Sequence, residues 1–118
     1  MIVAQTEWVV PTEYPDLRSA NEIAIDLETR DPNLKETGSG AIAGDGEVVG
    51  IAVAVDGYKG YFPIAHGEGP NMDRKKTLDW FKDVCESPAT KIFHNAMYDV
   101  CWIRNLGIKI NGLIIDTM

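Results

Sequence analysis

Two apolar runs rich in β-branched residues, "EVVGIAVAVD" (47–56) and "YKGYFPIA" (58–65), flank Asp56-Gly57. That dipeptide favours a two-residue turn, so the runs are predicted to form an antiparallel hairpin. Pro63 suits an edge strand, because it has no N–H to give to a ladder. Upstream, "EIAIDLE" (22–28) alternates as a strand does. Ile23, Ile25 and Leu27 point one way; Ala24, Asp26 and Glu28 point the other. The loop 30–46 is rich in glycine and charge. Downstream the period changes. Asn71 or Asp73 opens a helix carrying Leu78, Trp80, Phe81, Val84 and Cys85, and Pro88 stops it. "TKIFH" (90–94) is a short strand. Asn95 caps a second helix over 96–106, and Gly107 ends it. "GLIID" (112–116) is a last strand. The order β-β-β-α-β-α-β calls for a mixed α/β sheet: three antiparallel strands, then parallel ones reached through helical crossovers. Ahead of this unit, Trp8-Val9-Val10 is a short apolar piece broken by Pro11 and Pro15.

The chain has 118 residues, the size of one small domain. Its 18 acidic and 11 basic residues leave a net charge of −7. That balance argues against a broad basic face that grips nucleic acid; a bound polyanion would need help from cations or a neighbouring domain. Cys85 and Cys101 form no CxxC pair and read as buried free thiols in a reducing compartment. No signal peptide is visible, and no apolar run approaches the roughly 20 residues of a membrane span. The cytosol is the expected location.

Asp26 and Glu28 stand on one strand face with their bases ~6–7 Å apart. Two carboxylates that close repel each other unless cations lie between them, and hard divalent ions such as Mg²⁺ or Mn²⁺ take oxygen ligands of this kind. A solvated strand end would also account for the pair. In "FHNAMYDV" (93–100), Asp99 lies four residues after Asn95 and therefore on the same helix face. A cap at Asn95 and a dipole-favoured acid at Asp99 would suffice for these two. Taken together, however, the strand and the strand-to-helix turn would bring three carboxylates to one edge of the sheet. Two divalent ions would neutralise them, and such a pair can activate water at a phosphodiester.

"IAIDLET" (23–29) and "HNAMYD" (94–99) resemble the first two motifs of the DEDD 3′→5′ exonucleases. With "YFPIAH" (61–66) and "GIKINGLIIDTM" (107–118), the sequence is most similar to the proofreading domain of family A DNA polymerases, the polymerase I type. The resemblance implies a ribonuclease H-like fold and two Mg²⁺ or Mn²⁺ ions. It implies that Asp26, Glu28 and Asp99 are catalytic metal ligands, and that Thr29 and Asn95 lie by the bound strand. The implied substrate is the 3′ end of single-stranded or frayed DNA. Asp116 matches an acid that the family does not place on the metals. The family's third motif, a Tyr or His followed by a fourth carboxylate, has no counterpart here. The chain is therefore expected to be a partial exonuclease domain over 1–118, the N-terminal piece of a parent with a C-terminal polymerase domain. By itself it is expected to be weakly active or inactive. An RNA 3′ exonuclease of the ribonuclease D type, or a non-catalytic module that binds DNA or supports a polymerase, are the rival readings. His66 reads as a surface or hydrogen-bonded histidine, His94 as a neighbour of Asn95 without a catalytic role, and the basic run 73–76 as a solvated face; Trp80 and Trp102 read as core.

Overall fold

The computed structural model describes residues 10–118, so Trp8 and Val9 of the early apolar piece lie outside the described residues. Among the described residues, five strands form one sheet in the order β3-β2-β1-β4-β5. They are β1 (Glu22–Arg30), β2 (Glu47–Val55), β3 (Tyr58–Pro63), β4 (Thr90–Phe93) and β5 (Ile114–Asp116). β1–β2 and β2–β3 pair antiparallel, whereas β1–β4 and β4–β5 pair parallel. The mixed sheet is thus the one the element order demanded. Gly57 takes φ +84 in the hairpin turn, a backbone state that costs glycine little. Among the described residues β3 is an edge strand, which is where Pro63 can be tolerated.

Along β1 the burial alternates, with Ile23, Ile25 and Leu27 buried and Asp26 and Glu28 exposed. The strand runs two residues past the expected end, and a bulge falls between Glu28 and Thr29. The following loop is not wholly irregular. It holds two single-turn helices, α1 (Leu34–Thr37) and α2 (Gly40–Ala43). Neither carries a 3.6-residue apolar stripe, so periodicity gave no sign of them.

Helix α3 (Arg74–Glu86) is capped by Asp73, whose carboxylate accepts from the Lys76 N–H at 2.8 Å. It buries Thr77, Phe81, Val84 and Cys85. The Trp80 ring lies 4.4 Å from that of Phe62, tilted by 38°, and its indole N–H donates to the Pro15 carbonyl. Helix α4 (Ala96–Asn105) buries Ala96, Asp99, Trp102 and Ile103. The core is a single cluster running from Ile23 and Ile25 through Ile51 and Phe62 to Phe81, Phe93 and Ile103. One lysine is part of this interior. Lys91 on β4 is fully buried, and its ammonium donates to the carbonyls of Ser87 and Asn111. Burial lowers its pKa.

Candidate active site

β1 pairs with β4 only from Glu22 to Ala24. Among the described residues, that side of β1 has no strand partner beyond Ala24, and its N–H groups need another acceptor. Helix α4 supplies one. β4 ends at Phe93 and α4 starts at Ala96, so the chain turns within two residues. Asn95 makes the turn in the left-handed region, φ +69, which asparagine tolerates better than most residues. Its side chain forms no cap, contrary to the expected role. Instead the Asn95 N–H donates to the carboxylate of Asp116 at 3.0 Å. Asp116 also accepts from the Met118 N–H, and these main-chain donors hold its carboxyl below the usual range, the Met118 contact most strongly.

The tight turn sets Asp99 in the first turn of α4. Its Oδ2 accepts from the Leu27 N–H at 3.4 Å, on the peptide that joins Asp26 to Leu27. Only 4% of Asp99 is exposed. Burial first, and then the negative charges of Asp26 and Glu28, push its carboxyl up to about 7. The main-chain donor at Leu27 works against that rise. The three acids named from the sequence thus share one end of the sheet and feel one another electrostatically.

They do not converge as a closed cage. Among the described residues no three His, Cys, Asp or Glu side chains are gathered within reach of one metal ion. Asp26 and Glu28 are exposed, as anions that repel each other and Asp99 are when water can solvate them. The donors are nonetheless all carboxylate oxygens, the set that hard divalent ions take, and the buried Asp99 is costly to ionise without a cation nearby.

Thr29 lies past the bulge, and its hydroxyl is 2.9 Å from the Tyr98 hydroxyl. Tyr98 donates in turn to Asp31 Oδ2 at 2.7 Å, while Asp31 Oδ1 accepts from the Gly40 N–H at 3.0 Å. The residue beside Asp99 is thereby tied to both β1 and the 31–46 loop. Neither Tyr98 nor Asp31 was singled out from the sequence, because their connection spans 67 residues. Another group at the site is Tyr61. In the sheet register Asp26 faces Ala52, which faces Tyr61, and Glu28 faces Gly50. The Tyr61 ring leans over Gly50, where an added Cβ would lie 1.8 Å from its hydroxyl. Burial first, then the charges of Glu28 and Asp26, push the Tyr61 hydroxyl up to about 12. The signal in the sequence was Gly50 itself, a glycine inside a β-branched strand.

No known family profile matches the chain. Among solved structures, Brucella melitensis NrnC superposes with a TM-score of 0.55 at 19% identity, over 87% of this chain and 45% of that one. Brucella melitensis NrnC with bound Mg²⁺ gives 0.54 at 20% identity, with the same coverage. The fold is therefore ribonuclease H-like, of the kind found in DEDD exonucleases. By sequence, the chain is related to a DNA-directed DNA polymerase of Pseudomonas phage M6, with 37% identity over 114 residues. The match covers 88% of this chain and 16% of the phage protein's length. The resemblance read from the two motifs is borne out by these likenesses in fold and sequence.

Proposed function

We propose that this chain is the 3′→5′ exonuclease, or proofreading, part of a DNA polymerase of the polymerase I type. It removes the terminal nucleotide from single-stranded or frayed DNA. The observation that carries this reading is the seat of Asp99: a buried acid held on the main chain between Asp26 and Glu28. The relation to a phage DNA polymerase supports the polymerase parent and DNA as the substrate. The NrnC structure with bound Mg²⁺ supports a divalent ion.

Asp26, Glu28 and Asp99 would hold the ions. Two Mg²⁺ or Mn²⁺ ions, when bound, supply the positive charge that lets water attack the terminal phosphate and stabilises the departing 3′ oxygen. Water adds at phosphorus, the P–O3′ bond breaks, and a nucleoside 5′-monophosphate leaves. Thr29 and Asn95 flank the acids at the ends of β1 and β4 and contact the terminal nucleotide. Tyr98 fixes Thr29 for that contact. The terminal nucleotide must leave its stack to reach the acids, which accounts for the preference for a frayed end. A polymerase domain in the same parent chain delivers that end, in the cytoplasm of the host cell.

The test is a 5′-labelled DNA oligonucleotide beside an RNA of the same sequence, each incubated with Mn²⁺. The chain is assayed alone and within its parent polypeptide. Stepwise shortening of the DNA from its 3′ end, lost in Asp26→Ala and with EDTA, is expected of the parent. The isolated chain should be slow. Faster shortening of the RNA would favour the ribonuclease D type, and no cleavage by the parent would favour a non-catalytic module.

A further inference from the structure

Beside Asp99, helix α4 carries a second side chain tied to β1. The Tyr98 hydroxyl stands 2.9 Å from the Thr29 hydroxyl and 2.7 Å from Asp31 Oδ2. A phenol and a threonine hold one hydroxyl proton each, and a carboxylate holds none. Asp31 Oδ1 already accepts from the Gly40 N–H at 3.0 Å, which fixes the orientation of the carboxylate. Only a glycine allows that approach, since an added Cβ at position 40 would lie 2.8 Å from Asp31 Oδ1. Trp102 meets the Tyr98 ring edge to face at 66° and offers only a donor N–H. The phenol proton therefore goes to Asp31. The opposite order would set lone pairs of two oxygens against each other at 2.7 Å. With its proton committed to Asp31, Tyr98 accepts from Thr29. The order Thr29 to Tyr98 to Asp31 follows from the number of protons and from one group that can only accept.

Thr29 directly follows Glu28, across the bulge. Its one proton points inward to Tyr98, so what remains on its oxygen is acceptor capacity. Among the described residues that oxygen makes no other hydrogen bond. We infer that Tyr98 and Asp31 are positioning residues that make the Thr29 hydroxyl a pure acceptor towards the terminal nucleotide, so that it selects a donor there. Two groups of a nucleotide supply such a donor, a sugar hydroxyl and a base amino group. The donor order belongs to the protein by itself; the ligand rests on the exonuclease reading. Asp31→Asn reverses the order at unchanged size. The Gly40 N–H keeps the amide oxygen, so the amide N–H faces Tyr98. Tyr98 then passes its proton to Thr29, and Thr29 turns its own outward.

The order is read first on the chain in EDTA. The ¹³Cζ resonance of Tyr98, assigned by its loss in Tyr98→Phe, should lie further downfield in the unaltered chain than in Asp31→Asn, because a phenol that donates to a carboxylate gains phenolate character. Equal shifts overturn the order. Its consequence is read on the parent polypeptide with Mn²⁺, using DNA that ends in a 3′-hydroxyl or a 3′-fluoro group. Fluorine is close to a hydroxyl in size and cannot donate. If the sugar supplies the donor, KM for the fluoro end should rise about fivefold, the worth of one hydrogen bond. If the base supplies it, a gap of that size should instead separate a terminal adenine from a hypoxanthine, which has no amino group. Asp31→Asn and Thr29→Val should each erase whichever gap is found. No gap of either kind, or one that ignores Asp31→Asn, overturns the selection. If the parent cleaves no DNA end at all, the exonuclease reading fails and the ligand with it, while the carbon resonance still decides the donor order.

Discussion

Asp99 in the first turn of α4 and Leu27 in the middle of β1, 72 residues apart, are joined by a hydrogen bond from the Leu27 N–H to the Asp99 carboxylate. The bond takes the place of the ladder partner that β4 stops providing after Ala24. It also sets an acid into the interior at the point where two other acids leave β1. A group placed for backbone satisfaction alone would not need a charge; an asparagine or a threonine could accept the same N–H. The charge is therefore a cost to the fold, one that a bound cation would offset.

That cost has a pH dependence. The Asp99 carboxyl is raised from 3.8 to about 7 in the folded protein, so the folded state holds this proton more tightly than the unfolded chain does. The stability it contributes is complete below about pH 4 and is lost as the pH rises through about 7. Asp99→Asn keeps an acceptor for Leu27 and does not titrate. In EDTA, the melting temperature of the unaltered chain relative to Asp99→Asn should fall across that window. A constant difference would show that Asp99 is not strained by ionisation.

Asp26→Ala should stabilise the metal-free protein by about 0.5 kcal/mol, the modest size expected of interactions between exposed charges. It removes one of the two charges that disfavour ionised Asp99. With millimolar Mn²⁺ the order should reverse, because the unaltered chain gains from the ion and the variant gains less. Thermal melts with and without the ion read both signs. A variant that melts lower in EDTA would mean that these acids do not oppose one another.

Gly50→Ala places a methyl group 1.8 Å from the Tyr61 hydroxyl and 2.2 Å from its ring carbon. The ring must move, at a cost of about 1–3 kcal/mol typical of overpacking. The penalty should shrink markedly in a Tyr61→Ala background, where the space is empty. Urea unfolding of the four proteins of this cycle measures the coupling. Equal penalties in both backgrounds would place the ring elsewhere.

Lys91→Met retains most of the buried stem but leaves the carbonyls of Ser87 and Asn111 without their donor. Each orphaned group costs about 1–3 kcal/mol. Since those carbonyls anchor the C-terminal end of α3 and the approach to β5, proteolysis near residues 107–113 should accelerate as stability falls. A variant as stable as the parent would mean that water satisfies both groups.

Some of this structure could be read from neighbouring residues alone. Alternation along 22–28 set which side chains of β1 are buried, Asp56-Gly57 made the hairpin, and Asp73 capped α3, because each is decided within a few bonds by sterics, short hydrogen bonds and the period of apolar residues. The placing of Asp26 and Glu28 on one face belongs to the same class. Other features depend on segments distant in sequence. Asp99 reached Leu27 because β1 outlasts β4; Asn95 bonded Asp116 in place of its own helix end; Tyr61 leaned over Gly50; Tyr98 joined Thr29 to Asp31; Lys91 was buried against two carbonyls. These were decided by strand register, by where each ladder ends and by which buried polar groups still lacked partners, and those quantities exist only once the sheet has formed.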